Sequence, residues 1–440
     1  MRRLQMTTLA VLLTLVARFA PERARADNVR ASASSEQEGS PAAGAVDADR
    51  FALDDRHAWR GKAGEESWWW QCAWSEPREV GAILQIVGDD SLAFRNAPKR
   101  SVWQASLDGK TWTDLEETAV ADERRIYRLH RLSSPRQIKF LRMKIESAQG
   151  EFPTLREVQV FADPKTDVEF PEWIVAVSTI DRAEWQKNMP EGRQFVPLAR
   201  SCPGWEHLQA QFVWLDSFDE AFVSVEPQPL CAFLSGNFSD FCQKERTVWR
   251  GTQEVLEKGR LPIWASCGGA QGLAILAEVG AERPWDCPHC RDPKNPKSPI
   301  YGHIGHTSAG PHNCGDYSAC LFERGKQSVL AKADDPVFEG LAREFEVMES
   351  HCGQIEYAPK GWMQIAGRGN VGRTEFQCLR VKDRYIYAAQ FHIEMAGTPE
   401  TSRRIMSNFL TLAKAWGGYN LAAKPVPAPV PYERRQEQQK

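Results

Sequence analysis

The chain has 440 residues, of which 42% are hydrophobic and 26% charged, a composition typical of globular proteins that excludes a disordered chain and a bundle of membrane helices. Its 55 basic and 58 acidic residues are mixed along the sequence and leave a formal net charge of -3, so no basic field exists to attract nucleic acid or anionic lipid. At roughly 150 residues per domain, the length predicts two or three domains.

Residues 1–26 have the pattern of a secretory signal peptide. Arg2 and Arg3 precede an apolar segment, and Ala24-Arg25-Ala26 supplies the small residues that signal peptidase requires. The apolar segment is only about half of the roughly 20 residues that span a bilayer, which disfavours a membrane anchor. We therefore expect a secreted or periplasmic protein with no transmembrane segment in the mature chain. The 11 cysteines can then form disulfides, and their odd number leaves at least one thiol unpaired.

Residues 27–163 alternate short apolar runs with turn signals. Runs such as 80–87, 101–107 and 140–145 are separated by dipeptides such as Asp108-Gly109, and no long segment has helical periodicity. This spacing predicts a β-sandwich or barrel, with Trp112 as a core aromatic behind the turn. The run Trp68-Trp69-Trp70 places two rings on one face of a strand and one on the other, and packing is favoured over sugar stacking.

Three blocks of this region carry a family resemblance. They are Ala-Val-Asp-Ala-Asp (45–49), Ala-Ser-Leu-Asp-Gly-Lys-Thr-Trp (105–112) and Leu-Arg-Glu-Val-Gln-Val-Phe (155–161). In this order they resemble the discoidin family, also called factor V/VIII type C. The resemblance implies a jelly-roll sandwich that binds glycans or other surface ligands, often with a structural calcium. Asp47 and Glu157 are candidate ligands for such a hard cation.

Residues 164–172 contain two prolines and no periodicity, which predicts a linker. Beyond it, apolar runs at 230–234 and 261–266 alternate with helical patterns at 245–258 and 269–279. Strand and helix in alternation predict an α/β domain over residues 173–420 with a mainly parallel sheet. Residues 421–440, proline-rich and then charged, predict a disordered tail.

Cys267 stands between an apolar run and two glycines, so it is either a nucleophile or a buried thiol. A strand that turns sharply into a helix exposes a nucleophile on a strained elbow and requires small neighbours, here Ala265, Gly268 and Gly269. The helix N-terminus would also favour a thiolate at this position. A second stretch supports the nucleophile: His392 and Glu394 follow a predicted strand at 386–390, and their two-residue spacing lets the carboxylate orient the imidazole.

Four segments, in chain order, resemble the class I glutamine amidotransferase family over residues 173–418. Ala-Ser-Cys-Gly-Gly-Ala-Gln (265–271) is similar to the family's Gly-x-Cys-x-Gly-x-Gln, and Gln-Phe-His-Ile-Glu (390–394) to its Gln-Phe-His-Pro-Glu. Leu-Ser-Gly-Asn-Phe (234–238) stands where the family has its oxyanion loop, and Val-Met-Glu-Ser-His (347–351) resembles its Ser-His segment. Ala265, Asn237, Phe238 and Ile393 depart from the family pattern.

The resemblance implies a role for each matching residue: a nucleophile (Cys267), a general base (His392) with its carboxylate partner (Glu394), two backbone oxyanion donors (Gly268 and Asn237), and substrate contacts (Gln271, Ser350 and His351). The implied reaction is hydrolysis of a glutamine-type amide. The γ-glutamyl hydrolases, which are secreted relatives, use the same type of triad on γ-glutamyl peptides. No synthase domain is recognisable in this chain, so a hydrolase is as reasonable as an amidotransferase. No cofactor is required for the triad.

The segment between these motifs is rich in cysteine and histidine. Cys287 and Cys290, with four histidines between residues 289 and 312, are typical of a zinc site. In an exported chain disulfides, for example Cys314 with Cys320, are favoured over zinc. We expect this insertion to form a lid or specificity loop.

Two functional hypotheses follow from the sequence. In the favoured one, an exported cysteine hydrolase acts on a small amide or γ-glutamyl substrate and is tethered by the discoidin-like module. In the alternative, the amidotransferase-like domain is inactive and binds a glycan or a protein partner. The complete set of Cys267, His392 and Glu394 favours the enzyme, because binding alone does not need it.

Overall fold

The computed structural model describes residues 29–48, 55–87, 96–168, 170, 172–180, 194–237, 241, 246–282, 300–304, 320–422 and 424–432. The chain divides into two compact units, Met1–Asp167 and Val168–Lys440. The division falls within the segment whose two prolines and lack of periodicity predict a linker.

The first unit is built of seven strands in one hydrogen-bonded network. They are β1 (Arg30–Ala33), β2 (Trp59–Arg60), β3 (Trp68–Val87), β4 (Pro98–Ser106), β5 (Thr113–Asp114), β6 (Tyr127–Ala148) and β7 (Thr154–Phe161). Their order is β2-β7-β3-β6-β4-β5, and β1 pairs with β3. All of these pairings are antiparallel, so the expected all-β architecture is present.

Tryptophan side chains fill much of the core of this unit. Trp68 and Trp70 are buried on one face of β3, whereas Trp69 is only half-buried, as the period-two alternation of a strand requires. The Trp70 ring packs edge-on against Trp103 with centroids 6.2 Å apart, and its indole N–H donates to the Ala42 carbonyl at 3.0 Å. The expectation that this run is used for packing is met for Trp68 and Trp70.

The turn after β4 is organised by the Asp108 carboxylate. It accepts hydrogen bonds from the backbone N–H groups of Lys110 at 2.8 Å and Thr111 at 2.7 Å, which hold the pKa of Asp108 below its usual range. Trp112 is not a core residue as the sequence suggested. It is half-buried, and the Arg142 guanidinium stacks 3.8 Å from its ring centroid.

The second unit contains 13 strands and five α-helices among the described residues. The strands are β8 (Trp173–Ser178), β9 (Gln209–Trp214), β10 (Cys231–Leu234), β11 (Ile263–Ser266), β12 (Tyr301–His303), β13 (Glu323–Ala331), β14 (Ala333–Asp334), β15 (Glu344–His351), β16 (Gly353–Ile355), β17 (Trp362–Arg368), β18 (Phe376–Val381), β19 (Ile386–Ala389) and β20 (Val430–Pro431). The helices are α1 (Phe195–Arg200), α2 (Glu220–Val223), α3 (Arg250–Lys258), α4 (Gly268–Val279) and α5 (Pro399–Trp416).

A nine-stranded sheet forms the centre of the second unit, in the order β15-β13-β17-β18-β19-β11-β10-β8-β9. The five strands from β19 to β9 are parallel, and the other neighbours are antiparallel. The parallel half was expected from the continuous apolar runs, and β8, β10, β11 and β19 are buried along their whole length. The antiparallel extension is additional to the predicted parallel sheet. Since β10, β11 and β19 run in the same direction, the residues after them meet at one edge.

The predicted disordered tail over residues 421–440 is wrong for its first part. Strand β20 pairs with β14, and the Tyr432 N–H donates to the Lys332 carbonyl at 3.0 Å. The Pro427 carbonyl accepts a hydrogen bond from Arg380 Nη2 at 3.3 Å. Proline lacks an N–H but keeps its acceptor, so a proline-rich segment can still pack along a sheet edge.

Within the described part of the chain, no helix combines the length and apolar character needed to cross a membrane.

Candidate active site

Cys267 lies on a strained turn between β11 and α4. Its backbone has φ of 48° and ψ of -114°, and Ala48 is the only other non-glycine residue with positive φ in the described ranges. Such a conformation is costly for a residue with a side chain and persists only where the surroundings impose it. Here the Cys267 N–H donates to the Ala389 carbonyl of β19 at 2.8 Å, and its own carbonyl accepts the first bond of α4 from Gln271 N at 2.9 Å. The predicted elbow is therefore present.

The backbone after β10 approaches the elbow closely at Gly268. A Cβ at this position would lie 2.2 Å from the Cβ of Asn237 and 2.7 Å from its backbone nitrogen, so only glycine fits. The preceding turn is held by Thr179, whose hydroxyl donates to the carbonyls of Ser235 and Gly236. The backbone amides of Asn237 and Gly268 are thus neighbours, at the place where an oxyanion hole is expected.

His392 and Glu394 follow β19 and face the elbow from the next strand. His392 Nδ1 and Glu394 Oε1 are 2.6 Å apart, and both side chains are almost completely buried. The second oxygen of Glu394 accepts a hydrogen bond from the Ser266 hydroxyl at 3.1 Å, and Trp264 Nε1 donates to Ser266 at 3.2 Å. Two residues of β11 therefore hold the carboxylate that orients the imidazole.

The second ring nitrogen of His392 is on the side of Cys267. Burial lowers the pKa of His392, but the Glu394 carboxylate and the Cys267 sulfur outweigh this effect and raise the pKa well above 6.5. Among the described residues Nε2 has no partner at ordinary hydrogen-bond geometry, and the Cys267 sulfur acts on the ring through its charge and a weak hydrogen bond. Such contacts commonly shorten only when substrate is bound.

The segment from Ser350 to Gly353 forms a wall beside Cys267. The Ser350 carbonyl lies 4.0 Å from the Cys267 sulfur, and the Ser350 side chain is exposed. Gln271 is buried, and its amide Nε2 donates to the Gly353 carbonyl at 2.9 Å and to Gln390 Oε1 at 3.2 Å. Gln271 therefore links α4 to this wall, in addition to any contact with substrate.

His351, predicted to contact substrate, is directed into the protein interior. Its Nδ1 lies 2.8 Å from the Gly353 carbonyl, and its Nε2 lies 3.2 Å from Glu323 Oε2 and 3.1 Å from Glu349 Oε2. Burial lowers the pKa of His351, but the two carboxylates more than offset it and raise the pKa to about 10. The side chain thus pairs with two interior carboxylates, and the Ser350 carbonyl is the atom of this wall that faces the Cys267 sulfur.

The predicted cation ligands either contact other side chains or lie outside the described residues. Cys287, Cys290 and Cys314 are in the second group, so the zinc pair and the disulfide between Cys314 and Cys320 stay predictions. Asp47 Oδ2 is 2.5 Å from His57 Nδ1, and Glu157 is buried with Gln159 Nε2 at 2.9 Å. The expectation of calcium in the first unit also stays a prediction.

Comparison with known proteins supports both parts of the chain. Residues 30–158 match the model of the F5/8 type C domain. A segment of 84 residues is 38% identical to the glutamine-hydrolyzing GMP synthase of Thermosipho africanus, covering 19% of this chain and 16% of the relative. A segment of 93 residues is 34% identical to that of Thermus thermophilus, covering 21% and 18%. This chain combines an F5/8 type C domain with a glutamine amidotransferase-like region.

The predicted pairing of an all-β domain with an α/β amidotransferase-like domain is confirmed. This chain spans less than a fifth of the length of the curated GMP synthases it matches. Among solved structures, a protein described as a GMP synthase subunit from Thermoplasma acidophilum shares 18% identity with a TM-score of 0.40, covering 62% of this chain and all of that one. The family 32 carbohydrate-binding module of NanJ from Clostridium perfringens, solved with galactose, shares 18% identity with a TM-score of 0.26, covering 30% and 92%.

Sequence reasoning did not find the residues that support the amidotransferase-like site. Trp264 and Ser266 were predicted only as part of the apolar run 261–266, Glu349 only as part of the segment 347–351, and Glu323 was in none of the predicted motifs. Their roles depend on contacts between strands that are far apart in the sequence. One local signal for Ser266 was its position immediately before the elbow cysteine. Side chains alternate along a strand, so the Ser266 hydroxyl points away from the side chain of the next residue and can contact a different part of the site.

Proposed function

We propose that this chain is an exported cysteine hydrolase that cleaves a glutamine-type amide or a γ-glutamyl bond. The observation that carries the proposal is the 2.6 Å contact between His392 and Glu394 beside a cysteine held at positive φ. A buried carboxylate behind the imidazole stabilises its protonated form, which in turn favours a thiolate on the elbow. Neither the strain at Cys267 nor the buried carboxylate has an evident purpose in a protein that only binds.

The reaction follows from these positions. The Cys267 thiolate attacks the amide carbon, and the resulting oxyanion accepts hydrogen bonds from the backbone N–H groups of Gly268 and Asn237. The C–N bond then breaks, its electron pair stays on nitrogen, and His392 donates its proton to that nitrogen, which leaves as ammonia or as the amine. Water, deprotonated by His392, attacks the thioester, and the acid product leaves as the thiolate is restored.

The substrate class is inferred from the relatives and from the predicted export. The curated GMP synthases are named as glutamine-hydrolyzing, and the matching segment suggests the same type of bond here. The predicted signal peptide, residues 1–26, lies outside the described residues. Because export is predicted, we favour hydrolysis of an extracellular amide or γ-glutamyl bond over transfer of ammonia to a synthase.

We further propose that the F5/8 type C domain binds a glycan and so holds the hydrolase at a surface. The match of residues 30–158 to that family supports this role. Calorimetric titration of the full chain with galactose and with chitotriose tests it. Saturable heat of binding with either sugar supports the proposal. The absence of heat with both sugars, together with no binding signal on a broad glycan array, contradicts it.

The first experiment on the hydrolase measures alkylation of Cys267 by iodoacetamide from pH 5 to 9, on either side of the ordinary thiol pKa of about 8.5. We expect fast labelling that persists below pH 7 and is absent from Cys267→Ser protein. His392→Gln should slow the labelling at acidic pH. Cys202→Ser, which changes another buried cysteine of the same unit, is the matched control and should label normally.

The second experiment measures products. Release of ammonia from L-glutamine and of p-nitroaniline from γ-glutamyl-p-nitroanilide is compared between the wild type, Cys267→Ser and Cys202→Ser. Turnover that is lost only in Cys267→Ser supports the hydrolase. Slow labelling typical of an ordinary thiol, together with no turnover of either compound, would favour the inactive binding protein instead.

A further inference from the structure

A histidine and two cysteines converge at a point separate from the Cys267 site. His303 is the last residue of β12, Cys352 immediately precedes β16, and Cys320 lies three residues before β13. The ligand atoms of these three side chains all lie within 4.8 Å of one another. They form the one such group of three or more ligating side chains in the described part of the chain.

The backbone holds the three segments together independently of the side chains. Strands β12 and β16 pair with His303 opposite Gly353, and the Ile304 N–H donates to the Cys352 carbonyl at 2.8 Å. The Leu321 N–H donates to the Ile304 carbonyl at 3.0 Å, which ties the third segment to the first. The arrangement of the side chains is therefore fixed by the fold, as a preorganised binding site requires.

The donor set selects a particular class of metal. Two sulfurs and one imidazole suit zinc, whereas calcium and magnesium require oxygen ligands. Two thiolates bound to one zinc lie about 3.8 Å apart for tetrahedral geometry with Zn–S of about 2.3 Å. The separation of up to 4.8 Å requires only a small closing movement on binding.

The surroundings also suit a metal ligand set. His303 and Cys352 are buried, and Cys320 is at least half-buried, so the cluster is largely shielded from solvent. The Tyr301 hydroxyl lies 3.3 Å from His303 Nε2 and can orient the ring. Such outer contacts commonly fix a metal-binding histidine.

We propose that His303, Cys320 and Cys352 bind a zinc ion. The three residues leave one position of a tetrahedral zinc for water or another ligand. Binding deprotonates both thiols and releases their protons to solvent, with no change of oxidation state. This set is distinct from the pair Cys287 and Cys290, and the proposal does not depend on the chemistry of Cys267.

The location suggests what the metal does. Cys352 lies between His351 and Gly353, whose carbonyl accepts the hydrogen bond from Gln271, and it is two residues after Ser350, whose carbonyl faces Cys267. A zinc ion at Cys352 would therefore tie the wall of the candidate active site to β12. This structural role rests on the proposed function, but the binding of the metal does not.

The test measures the metal content of the full chain after loading with zinc and extensive dialysis, by inductively coupled plasma mass spectrometry. We expect one zinc per chain. Zinc affinity should fall by on the order of 100-fold or more in each of the variants His303→Ala, Cys320→Ala and Cys352→Ala. Substitution of residues that only contact a metal ligand already lowers metal affinity by about 10- to 100-fold. Cys202→Ser and Cys267→Ala are the controls and should keep the ion.

A second measurement distinguishes the loss of a zinc ligand from poor folding of a variant. Cobalt(II) added to the wild type should give the charge-transfer absorption of a thiolate–cobalt bond, and the intensity should fall in Cys320→Ser protein whose circular dichroism is unchanged. Three results would overturn the proposal: no bound zinc in the wild type, zinc retained by all three alanine variants, or a disulfide between Cys320 and Cys352 in non-reducing peptide maps. If the chain binds zinc but Cys267 is unreactive, the zinc proposal is supported and only the hydrolase proposal is contradicted.

Discussion

Ser266 donates a hydrogen bond to Glu394 at 3.1 Å, and so connects the residue before the elbow cysteine to the carboxylate behind His392. The two residues are 128 positions apart and meet because β11 and β19 are parallel neighbours. Through this contact, one strand positions both the proposed nucleophile, Cys267, and the carboxylate that orients the proposed base, His392.

Ser266→Ala should therefore lower kcat/KM by about tenfold, since a hydrogen bond to a charged group contributes about 1.5–3 kcal/mol. The loss should fall on kcat and not on KM, and the pH profile of kcat should shift, which a purely structural effect would not produce. Ser402→Ala, at another buried serine in α5, is the control and should leave both unchanged. An unaltered pH profile in Ser266→Ala would mean that the hydrogen bond does not position the imidazole.

Gly268→Ala should abolish most activity by displacing the Asn237 amide. The added Cβ would lie 2.7 Å from that nitrogen, and loss of one oxyanion donor costs on the order of 100- to 1,000-fold in kcat. Gly272→Ala provides a matched control in the same helix, because its Cβ would lie 2.2 Å from the Trp249 ring instead. Both variants should lose stability by roughly 1–3 kcal/mol in urea titrations, as overpacked sites do. Equal losses of kcat in the two variants would argue against an oxyanion role for Asn237.

The pairing of His392 with Glu394 predicts a specific dependence of stability on pH. The pKa of His392 is raised in the folded state, so its stabilising effect is fully present below the unfolded pKa and is lost as the pH rises through the folded-state value. The titratable groups that interact electrostatically with the His392 ring are Glu394, Cys267 and Glu349. The difference in unfolding free energy between wild type and His392→Gln should thus be largest near about pH 6, below the ordinary imidazole pKa, and should shrink as the pH is raised into the alkaline range. A difference that grows with pH would contradict the assigned direction.

A buried ion pair beside the C-terminal segment predicts a large stability effect. Arg380 Nη1 lies 2.6 Å from Asp335 Oδ2, and both side chains are almost fully buried. Arg380→Met leaves the carboxylate unpaired and should cost about 3–5 kcal/mol of unfolding free energy. The double variant with Asp335→Asn should recover much of this, because Asn keeps the oxygen that accepts from Val337 N and the Tyr387 hydroxyl. Arg403→Met, in an exposed pair with Glu400, is the control and should cost less than about 1 kcal/mol.

The predictions that succeeded rest on short segments in which the chemistry is local. The elbow around Cys267 and the pair His392 and Glu394 are each contained in a few consecutive residues. The all-β and α/β units were also accessible, since the apolar periodicity changes beyond residue 172. The packing of residues 425–432 could not be predicted from the sequence, because a proline-rich segment has the same composition whether or not a sheet edge is available for it to pack against.

His351 shows that a sequence motif does not predict which residues surround a side chain. Its position in the Ser-His segment predicted a contact with substrate, but its side chain lies between Glu323 and Glu349 in the interior. Glu323 stands opposite His351 in the pairing of β13 with β15. That register depends on how two separate strands pack, which a local pattern does not contain.

The sequence alone predicted the order of the units, the sharp turn at Cys267 and the pairing of His392 with Glu394, because backbone propensity and residue spacing act over a few positions. Only the tertiary structure decided that Ser266 supports Glu394, that Asn237 meets Gly268, and that His303, Cys320 and Cys352 converge. These contacts join residues far apart in the chain. They form only when strand register and the burial of apolar side chains select one arrangement of the whole unit.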